Sequence, residues 1–210
     1  LSAVLFWTTD ENRHGLPHDP FKAIVAPRPI GWISTRTAEG ETNLAPYSFF
    51  SAISDRPKLV MFASSGFKDA ATAAIASGEF VANLATAPLA RAVVKTSAPA
   101  PRGVSEFDLA GLTEAPCQLV KAPRVAEAPA ALECRVTQWF HPEAIDGSRS
   151  ETVVVIGQVV AIHLDEAVLR DGMIASDLAR PLSRLGYLDY AETRETFAMP
   201  RPKRPDATDI

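Results

Sequence analysis

The chain of 210 residues carries only two cysteines, Cys117 and Cys134. They form no CxxC pair and no disulfide framework, so they read as free thiols of a reducing compartment, with a bridge between them left open. No two glycines stand at GxG spacing, which removes the dinucleotide fingerprint and the kinase-type glycine loop. A GxxxxGK[ST] phosphate loop and a GxSxG nucleophile elbow are missing as well. Histidine is sparse: His14, His18, His141 and His163. His14 and His18 stand four apart, but Gly15 and Pro17 between them argue against the helix that would bring both to one ion, so no metal site is expected. His163 reads as a packed or hydrogen-bonded strand residue, and His141, after Trp139-Phe140, as a candidate pocket wall. Long apolar runs are also lacking. Val153 to Leu164 is broken by Gly157, Gln158 and His163 and falls short of the ~20 residues of a membrane span. Leu1 to Trp7 is apolar but short, with no basic segment before it, and does not read as a signal peptide. Net charge is −4 and the basic residues are scattered apart from Arg201 to Arg204, which gives nucleic acid no electrostatic footprint. The expectation is a cytoplasmic protein with no membrane and no nucleic-acid partner.

What is present is an ordinary globular composition, 47% hydrophobic and 22% charged, in a chain long enough to bury a core without disulfides. Residues 1–20 read as an N-terminal arm, 21–192 as one domain and 193–210 as a tail. Within the tail, Met199 to Ile210 is expected to be disordered or to lie on a partner subunit. Ile30 to Thr35 is β-branched and aromatic, a strand starting at or after Pro29. A turn over Thr37 to Glu41 leads to a second strand from Asn43 to about Ser51, and the two make a hairpin. Leu59 to Ala63 is a continuous apolar run, an interior strand. Asp69 is placed as N-cap of an alanine-rich helix from Ala70 to Ser77, with Gly78 as its C′ residue. Phe80 to Leu84 is a further strand, and Pro88 starts a short helix through Lys95. Residues 97–130, rich in Pro and Ala, form a long excursion with little regular structure. Leu132, Cys134 and Val136 alternate with polar residues, a half-buried strand. Thr152 to Leu164 is a long strand in which Gly157 marks a bulge or corner. Asp171-Gly172 is a turn, and Asp177 to Ser183 a short helix broken by Pro181. Strands joined by short turns dominate, with no strand–helix alternation, so the fold class is mainly β: an antiparallel barrel with a few short helices.

The informative region is 27–84. It reads Pro-Arg-Pro-Ile-Gly-Trp-Ile-Ser-Thr-Arg at 27–36, Asn-Leu-Ala-Pro-Tyr-Ser-Phe-Phe-Ser-Ala-Ile-Ser at 43–54, Pro-Lys-Leu-Val-Met-Phe at 57–62, Lys68-Asp69, and Phe80-Val81-Ala82-Asn83-Leu84. The hydroxyls of Ser34, Thr35, Ser48, Ser51, Ser64 and Ser65 are donors for a phosphate. Lys68 adds positive charge beside a helix N-terminus that favours anions. These segments, in this order and spacing, resemble the flavin-reductase-like FMN-binding family, the group that includes flavoredoxin and NAD(P)H-dependent flavin reductases. The likeness continues through Ser97-Ala98-Pro99, Glu106 to Thr113 and Leu182 to Gly186.

The resemblance implies a split β-barrel homodimer with one FMN in each cleft near the subunit interface. It implies that Ser64, Ser65 and Lys68, with Arg28 or Arg36, hold the phosphate and that Asp69 belongs to the same motif. Backbone groups from Asn43 through Ala45, Pro46 and Tyr47 to Ser48 address the ring edge, and Pro46, Tyr47 and Phe49 supply apolar contact. Where the family commonly has Lys-Asp-Thr, this chain has Lys68-Asp69-Ala70, one hydroxyl fewer. The implied activity is reduction of flavin by NADH or NADPH, hydride passing to flavin N5, with electrons handed to a monooxygenase or other acceptor. No acid, base or nucleophile is then required of the protein. Arg184, Tyr187 and Tyr190 are candidates for contact with the nicotinamide or a partner's flavin. Two other readings compete: a non-catalytic FMN electron carrier, and an FMN-dependent oxidase of a small molecule.

Overall fold

The computed structural model describes residues 4–98, 100 and 104–200. In chain order the elements are α1 (Phe21–Ile24), β1 (Arg28–Pro29), β2 (Gly31–Arg36), β3 (Thr42–Tyr47), β4 (Phe50–Asp55), β5 (Lys58–Ser65), α2 (Asp69–Ser77), β6 (Glu79–Leu84), α3 (Ala90–Lys95) and α4 (Glu106–Ala110). They continue with β7 (Glu114–Ala115), β8 (Arg124–Val125), β9 (Ala130–Phe140), β10 (Thr152–Leu164), β11 (Leu169–Arg170), β12 (Met173–Ile174), α5 (Ser176–Ala179), β13 (Leu182–Arg184) and β14 (Tyr190–Glu192). Residues 201–210, most of the expected tail segment, lie outside the described residues.

Seven strands form one sheet in the order β3-β2-β6-β9-β10-β5-β4. Every pairing in it is antiparallel. The outermost strands, β3 and β4, are consecutive in the chain and joined only by Ser48 and Phe49. Three peptide units separate Tyr47 from Phe50, a reach of at most ~11 Å. Opposite edges of a seven-stranded sheet can lie that close only if the sheet curls almost into a closed barrel. The Ala63 N–H donates to Phe49 O at 2.8 Å and anchors the link to β5. The single strand expected from Asn43 to about Ser51 is therefore two strands on opposite edges. Its continuous apolar pattern hides the bend, because residues on both sides face the same interior. Pro46, which cannot donate to a ladder, sits on edge strand β3.

The barrel interior holds Ile33, Tyr47, Val60, Phe62, Phe80, Cys134, Val153 and Val155. One end is plugged by α2, whose Ala70, Ala71 and Ala74 pack into that cluster. Alanine is what the space permits, since the helix lies directly on the strands. Gly78 ends the helix with φ +74°. The helix begins at Asp69, with Lys68 as N-cap and no side-chain cap. The expected capping role of Asp69 is thus shifted by one residue, and its carboxylate stands in the first turn instead.

The excursion after α3 covers the outside of the barrel, where Trp32, Leu44, Val93, Phe107 and Val125 make a second apolar layer. This explains why Trp32 and Ile33, neighbours on β2 that point to opposite faces, are both fully buried. Trp32 Nε1–H donates to Thr96 Oγ1 at 2.9 Å. The helix expected over Asp177 to Ser183 stops at Ala179, and Leu182 to Arg184 pairs instead with β1 and β14. Pro181 explains the stop, because it cannot supply the next helical N–H. The two cysteines are free thiols. Among the described residues, no helix is long and apolar enough to cross a membrane.

Gly157 does mark a bulge: the β9–β10 register shifts between Ile156 and Gly157. A Cβ at Gly157 would lie 2.4 Å from Phe80 Cε1 and 3.1 Å from Cys134 Cβ, so the ring occupies the space a side chain would need. Gly157→Ala should therefore cost ~1–3 kcal/mol of stability in urea unfolding, the usual penalty of overpacking. Adding Phe80→Leu should return part of that loss. An unchanged unfolding midpoint in the single variant would contradict this packing.

Candidate functional site

The region expected to hold a ligand is built from three pieces: the β2–β3 hairpin, the Ser48-Phe49 link, and the loop from Ser64 to Lys68 that feeds α2. Thr35 pairs with Asn43, and Ile33 with Ala45, across the hairpin. On the far side of the barrel, Phe50 pairs with Phe62. Continuing that register through Phe49 and Ala63 sets Ser48 opposite Ser64. The Tyr47 ring lies 4.9 Å from that of Phe62 and is almost wholly buried. Burial pushes its phenol above the ordinary value, with the Ser64 hydroxyl pulling the other way and Asp69 and Glu106 adding to the rise. Tyr47 and Ser64 are thus neighbours beneath the mouth of the barrel.

At that mouth Ser48 is half-buried, Ser64 buried, and Ser65, Lys68 and Asp69 exposed. Ser64 Oγ is fully buried and makes no well-formed hydrogen bond, with the Tyr47 hydroxyl as its polar neighbour. A buried hydroxyl left unpaired costs free energy, so a native one calls for an explanation. Beside it the N-terminus of α2 has no side-chain cap, which leaves backbone N–H groups for an anion. Asp69 brings a carboxylate to the same turn, and the ammonium of Lys68 is what offsets it.

The other expected residues are placed differently. Thr35 and Asn43 stand at the hairpin end of β2 and β3, and Thr35 Oγ1 and Asn43 Oδ1 are also buried without partners. Asn43 and Tyr47 are four residue steps apart along β3, a span of ~13 Å. Ala45 and Pro46 lie between them, half-buried. Ser51 sits on β4, its hydroxyl donating locally to Ala52 O at 3.0 Å. Ser34 is apart from all of these. It is fully buried on the outer face, donates to Pro123 O, and accepts from Asn83 Nδ2 at 3.0 Å. Tyr47 is spent as core, while Phe49 is 40% exposed and free to touch a ligand.

Neither expected arginine points to the mouth. The Arg28 guanidinium donates to the carbonyls of Lys22, Val25 and Leu185. Arg36 donates to Lys121 O and Gly40 O and pairs with Glu114 at 3.0 Å. Arg184 donates to Tyr187 O and lies over the Tyr190 ring, 4.4 Å from its centroid. Ala70, where the family pattern has threonine, is core. Thr72, two residues on and on another face of the helix, faces a cavity of about 930 Å³ between the hairpin, α2 and α4. That cavity is walled by carboxylates, including Glu39, Glu41, Asp108 and Glu114, and is a poor seat for phosphate. Of the expected residues Arg36, Asn43 and Asp69 reach it, and the Arg36 guanidinium is already paired with Glu114.

Three groups were not legible as site residues. Asn83 donates to Trp32 O at 2.9 Å and accepts from the Val125 N–H at 2.8 Å, tying the outer layer to the barrel. Glu106, buried, accepts from Asn43 Nδ2 at 3.0 Å and from the Leu44 N–H at 3.1 Å. Phe67, Trp139 and His141 form a cluster with ring centroids 5.6–6.2 Å apart, next to Lys68. Only His141 had drawn notice, through its aromatic neighbours in sequence.

Residues 25–185 match the model of the flavin reductase like domain. The chain is 34% identical over 183 residues to an uncharacterised protein of Halalkalibacterium halodurans, covering 85% of this chain and 87% of that one. Its fold superimposes on nitrilotriacetate monooxygenase component B from Bacillus cereus with a TM-score of 0.85 at 29% identity, covering 95% and 100% of the two chains. It also superimposes on a 2-nitrobenzoate 2-nitroreductase from Pseudomonas fluorescens with a TM-score of 0.80 at 26% identity, covering 96% and 99%.

The placement of the hydroxyls separates two kinds of residue. Ser34→Ala leaves the Asn83 amide and the Pro123 carbonyl short of a partner and should cost ~1–3 kcal/mol in urea unfolding. Thr35→Val removes a hydroxyl that bonds to nothing in the ligand-free fold, and Ser64→Ala one whose polar neighbour is the Tyr47 hydroxyl, so both should cost less stability than Ser34→Ala. Equal losses in all three would contradict the distinction.

Proposed function

This chain belongs to the flavin reductase like domain family, and on that premise we propose that it is an FMN-binding oxidoreductase which takes reducing equivalents from NADH or NADPH. The observation that carries the reading is Ser64 Oγ, buried without a well-formed hydrogen bond and with the Tyr47 hydroxyl as its polar neighbour, beside the uncapped N-terminus of α2 and next to Lys68. Ser48, Ser64, Ser65 and Lys68 would hold the phosphate there. The unpaired Thr35 Oγ1 and Asn43 Oδ1 lie toward the hairpin end. Polar groups at the two ends of β3, hydroxyls and an ammonium at the mouth and the Thr35 hydroxyl and Asn43 carbonyl at the hairpin, suit an elongated ligand with an anionic end and a polar ring edge. The half-buried Ala45 and Pro46 and the exposed Phe49 offer the apolar contact between.

FMN, held by Ser48, Ser64, Ser65 and Lys68, would supply the redox chemistry of hydride acceptance and onward electron transfer. The chain's own residues then need only bind, orient and keep water out. This agrees with a mouth at which the described residues form no nucleophile or general-base pair. We propose further that the chain works as a homodimer. Phe49, Ile53, Phe67, Trp139 and Phe140, each 40% exposed or more, are apolar surface that a second copy would cover beside the mouth. Light scattering should give twice the chain mass of 22.6 kDa. A monooxygenase or similar redox partner would accept the electrons. The two free thiols suit a reducing compartment, and we place the reaction in the cytoplasm.

The test is spectroscopic. The purified or FMN-loaded protein should show flavin absorption that bleaches within seconds on anaerobic addition of NADH or NADPH. Bound flavin that neither nucleotide bleaches would replace this reading with a carrier or an oxidase. A chain that takes up no FMN would overturn it. Lys68→Ala should weaken FMN binding about tenfold, in line with loss of ~1.5 kcal/mol from a charge-assisted hydrogen bond, without changing stability. Unchanged affinity would move the phosphate elsewhere.

A further inference from the structure

A second cluster of chemistry-bearing side chains lies on the outer face of the barrel, away from the mouth. Glu133 on β9, His163 on β10 and Cys117 in the loop between β7 and β8 bring their donor atoms within 4.8 Å of one another. The sequence gives no sign of it, because the three residues sit 16 and 30 positions apart with no ligand spacing. Topology assembles them. Glu133 is paired with Ala161, and Ala131 with His163, so both side chains project from one face of the β9–β10 ladder at diagonal positions. The loop carrying Cys117 is then laid over that face.

Glu133 is fully buried. Its Oε1 accepts from the Gln118 N–H at 2.8 Å, and its Oε2 from the Leu119 and Val120 N–H groups at 2.6 and 3.1 Å. His163 Nε2 lies 2.6 Å from Oε1. Among the described residues, no lysine or arginine comes within 4.0 Å of this carboxylate, and its one ionisable partner is that imidazole. A buried negative charge held only by backbone dipoles and one imidazole is a site that a cation would stabilise. Burial would raise the Glu133 carboxyl, but the N–H groups of Gln118 and Leu119 and the His163 contact outweigh it and keep it below the ordinary value. The Cys117 thiol is pushed up to about 11 by burial and by Glu133, with Arg124 opposing. Without an ion the cysteine is thus a neutral thiol beside a carboxylate, and it has no evident use as a nucleophile.

We propose that Cys117, Glu133 and His163 form a binding site for a divalent ion of zinc type. One thiolate, one imidazole and one carboxylate are a donor set for Zn²⁺ and its borderline relatives, and a thiolate excludes Mg²⁺ and Ca²⁺ as natural occupants. In tetrahedral coordination at ~2.0–2.3 Å, ligand atoms stand ~3.3–3.7 Å apart. The His163–Glu133 contact need open by less than ~1 Å, and Cys117 need close by about as much. On binding, the thiol proton leaves to solvent, and the proton that His163 Nε2 holds against Glu133 moves by way of solvent to Nδ1, freeing Nε2 for the ion. Three protein ligands leave a fourth position open. A cleft of about 570 Å³ reaches Cys117 and gives a path of entry, and His163 is 23% exposed. The ion would cross-link the covering loop to the two longest strands of the barrel. This inference does not rest on the flavin reading, and the two can fail separately.

The test uses the full chain, reduced and metal-free, titrated with Co²⁺ and then with Zn²⁺ against a chromophoric chelator. One equivalent of Co²⁺ should bind with a thiolate-to-cobalt charge-transfer band, and Zn²⁺ should displace it. Cys117→Ser should abolish the band, and His163→Gln, which keeps a polar side chain against Glu133, should weaken binding at least tenfold. Cys134→Ala should change neither. Thermal unfolding with Zn²⁺ should shift upward in the wild type and in Cys134→Ala but not in Cys117→Ser. Absence of stoichiometric binding would overturn the proposal and leave the three residues as a hydrogen-bonded anchor. Equal binding in Cys117→Ser would overturn it as well.

Discussion

Two residues, Ser48 and Phe49, connect the opposite edges of a seven-stranded sheet, and most of the molecule follows from that constraint. A link so short forces the sheet to roll up, and rolling gives every strand an inward face. The interior must then be filled at close packing, which explains Phe80 against Gly157 and Phe50 against Gly31, where a Cβ would lie 2.4 Å from either ring. Because the link joins β3 to β4, it also sets Ser48 against the end of β5. The chain leaves that end through Ser64 to Lys68 to enter α2. The feature that closes the barrel therefore also gathers hydroxyls, an ammonium and a helix N-terminus at its mouth.

The outer layer works by a different logic. A strand such as β2, buried on both faces, needs cover on its outer side, and the proline-rich segment after α3 provides it without regular structure. Such cover cannot be fastened by a sheet ladder, so single polar side chains do it. Asn83 and Ser34 tie down Pro123 and Val125, and Glu133 gathers the N–H groups of three successive residues. Each is a buried polar group with its partners satisfied, the condition under which such groups hold a fold together instead of weakening it. Thr35, Asn43 and Ser64 differ because an atom in each is left over. At the barrel mouth and hairpin, that contrast separates residues that serve the fold from residues that await the flavin, while Glu133 both fastens the covering loop and faces His163 and Cys117.

Much of this was legible in the sequence. Period-two alternation around Cys134, the unbroken apolar run at Leu59 to Ala63 and Gly157 inside a long strand each gave the right element for the right reason. The motif order from Pro27 to Leu84 pointed to the family directly. What failed did so where local pattern and tertiary geometry part company. Asn43 to Ser51 reads as one strand because the bend at Ser48-Phe49 breaks no hydrophobic pattern. Ser34 and Thr35 are neighbours of similar chemistry, yet they point to opposite faces, and one is structural while the other is unpaired. Arg28 and Arg36 are cations near the motif, but their guanidinium groups bond to carbonyls that sequence cannot place. The meeting of Cys117, Glu133 and His163 comes from strand register and a covering loop, and no local spacing could announce it.

The central claim is that the mouth formed by Ser48, Ser64, Ser65 and Lys68 is where an anionic flavin is held. A crystal structure of the chain grown with FMN tests it most directly. The account predicts the phosphate within hydrogen-bond distance of Ser64 Oγ and Lys68 Nζ, over the first turn of α2, with the ring edge toward the hairpin. A phosphate seated instead in the carboxylate-walled cavity between the hairpin and α4, or on the outer face with Ser64 Oγ still unpaired, would contradict it.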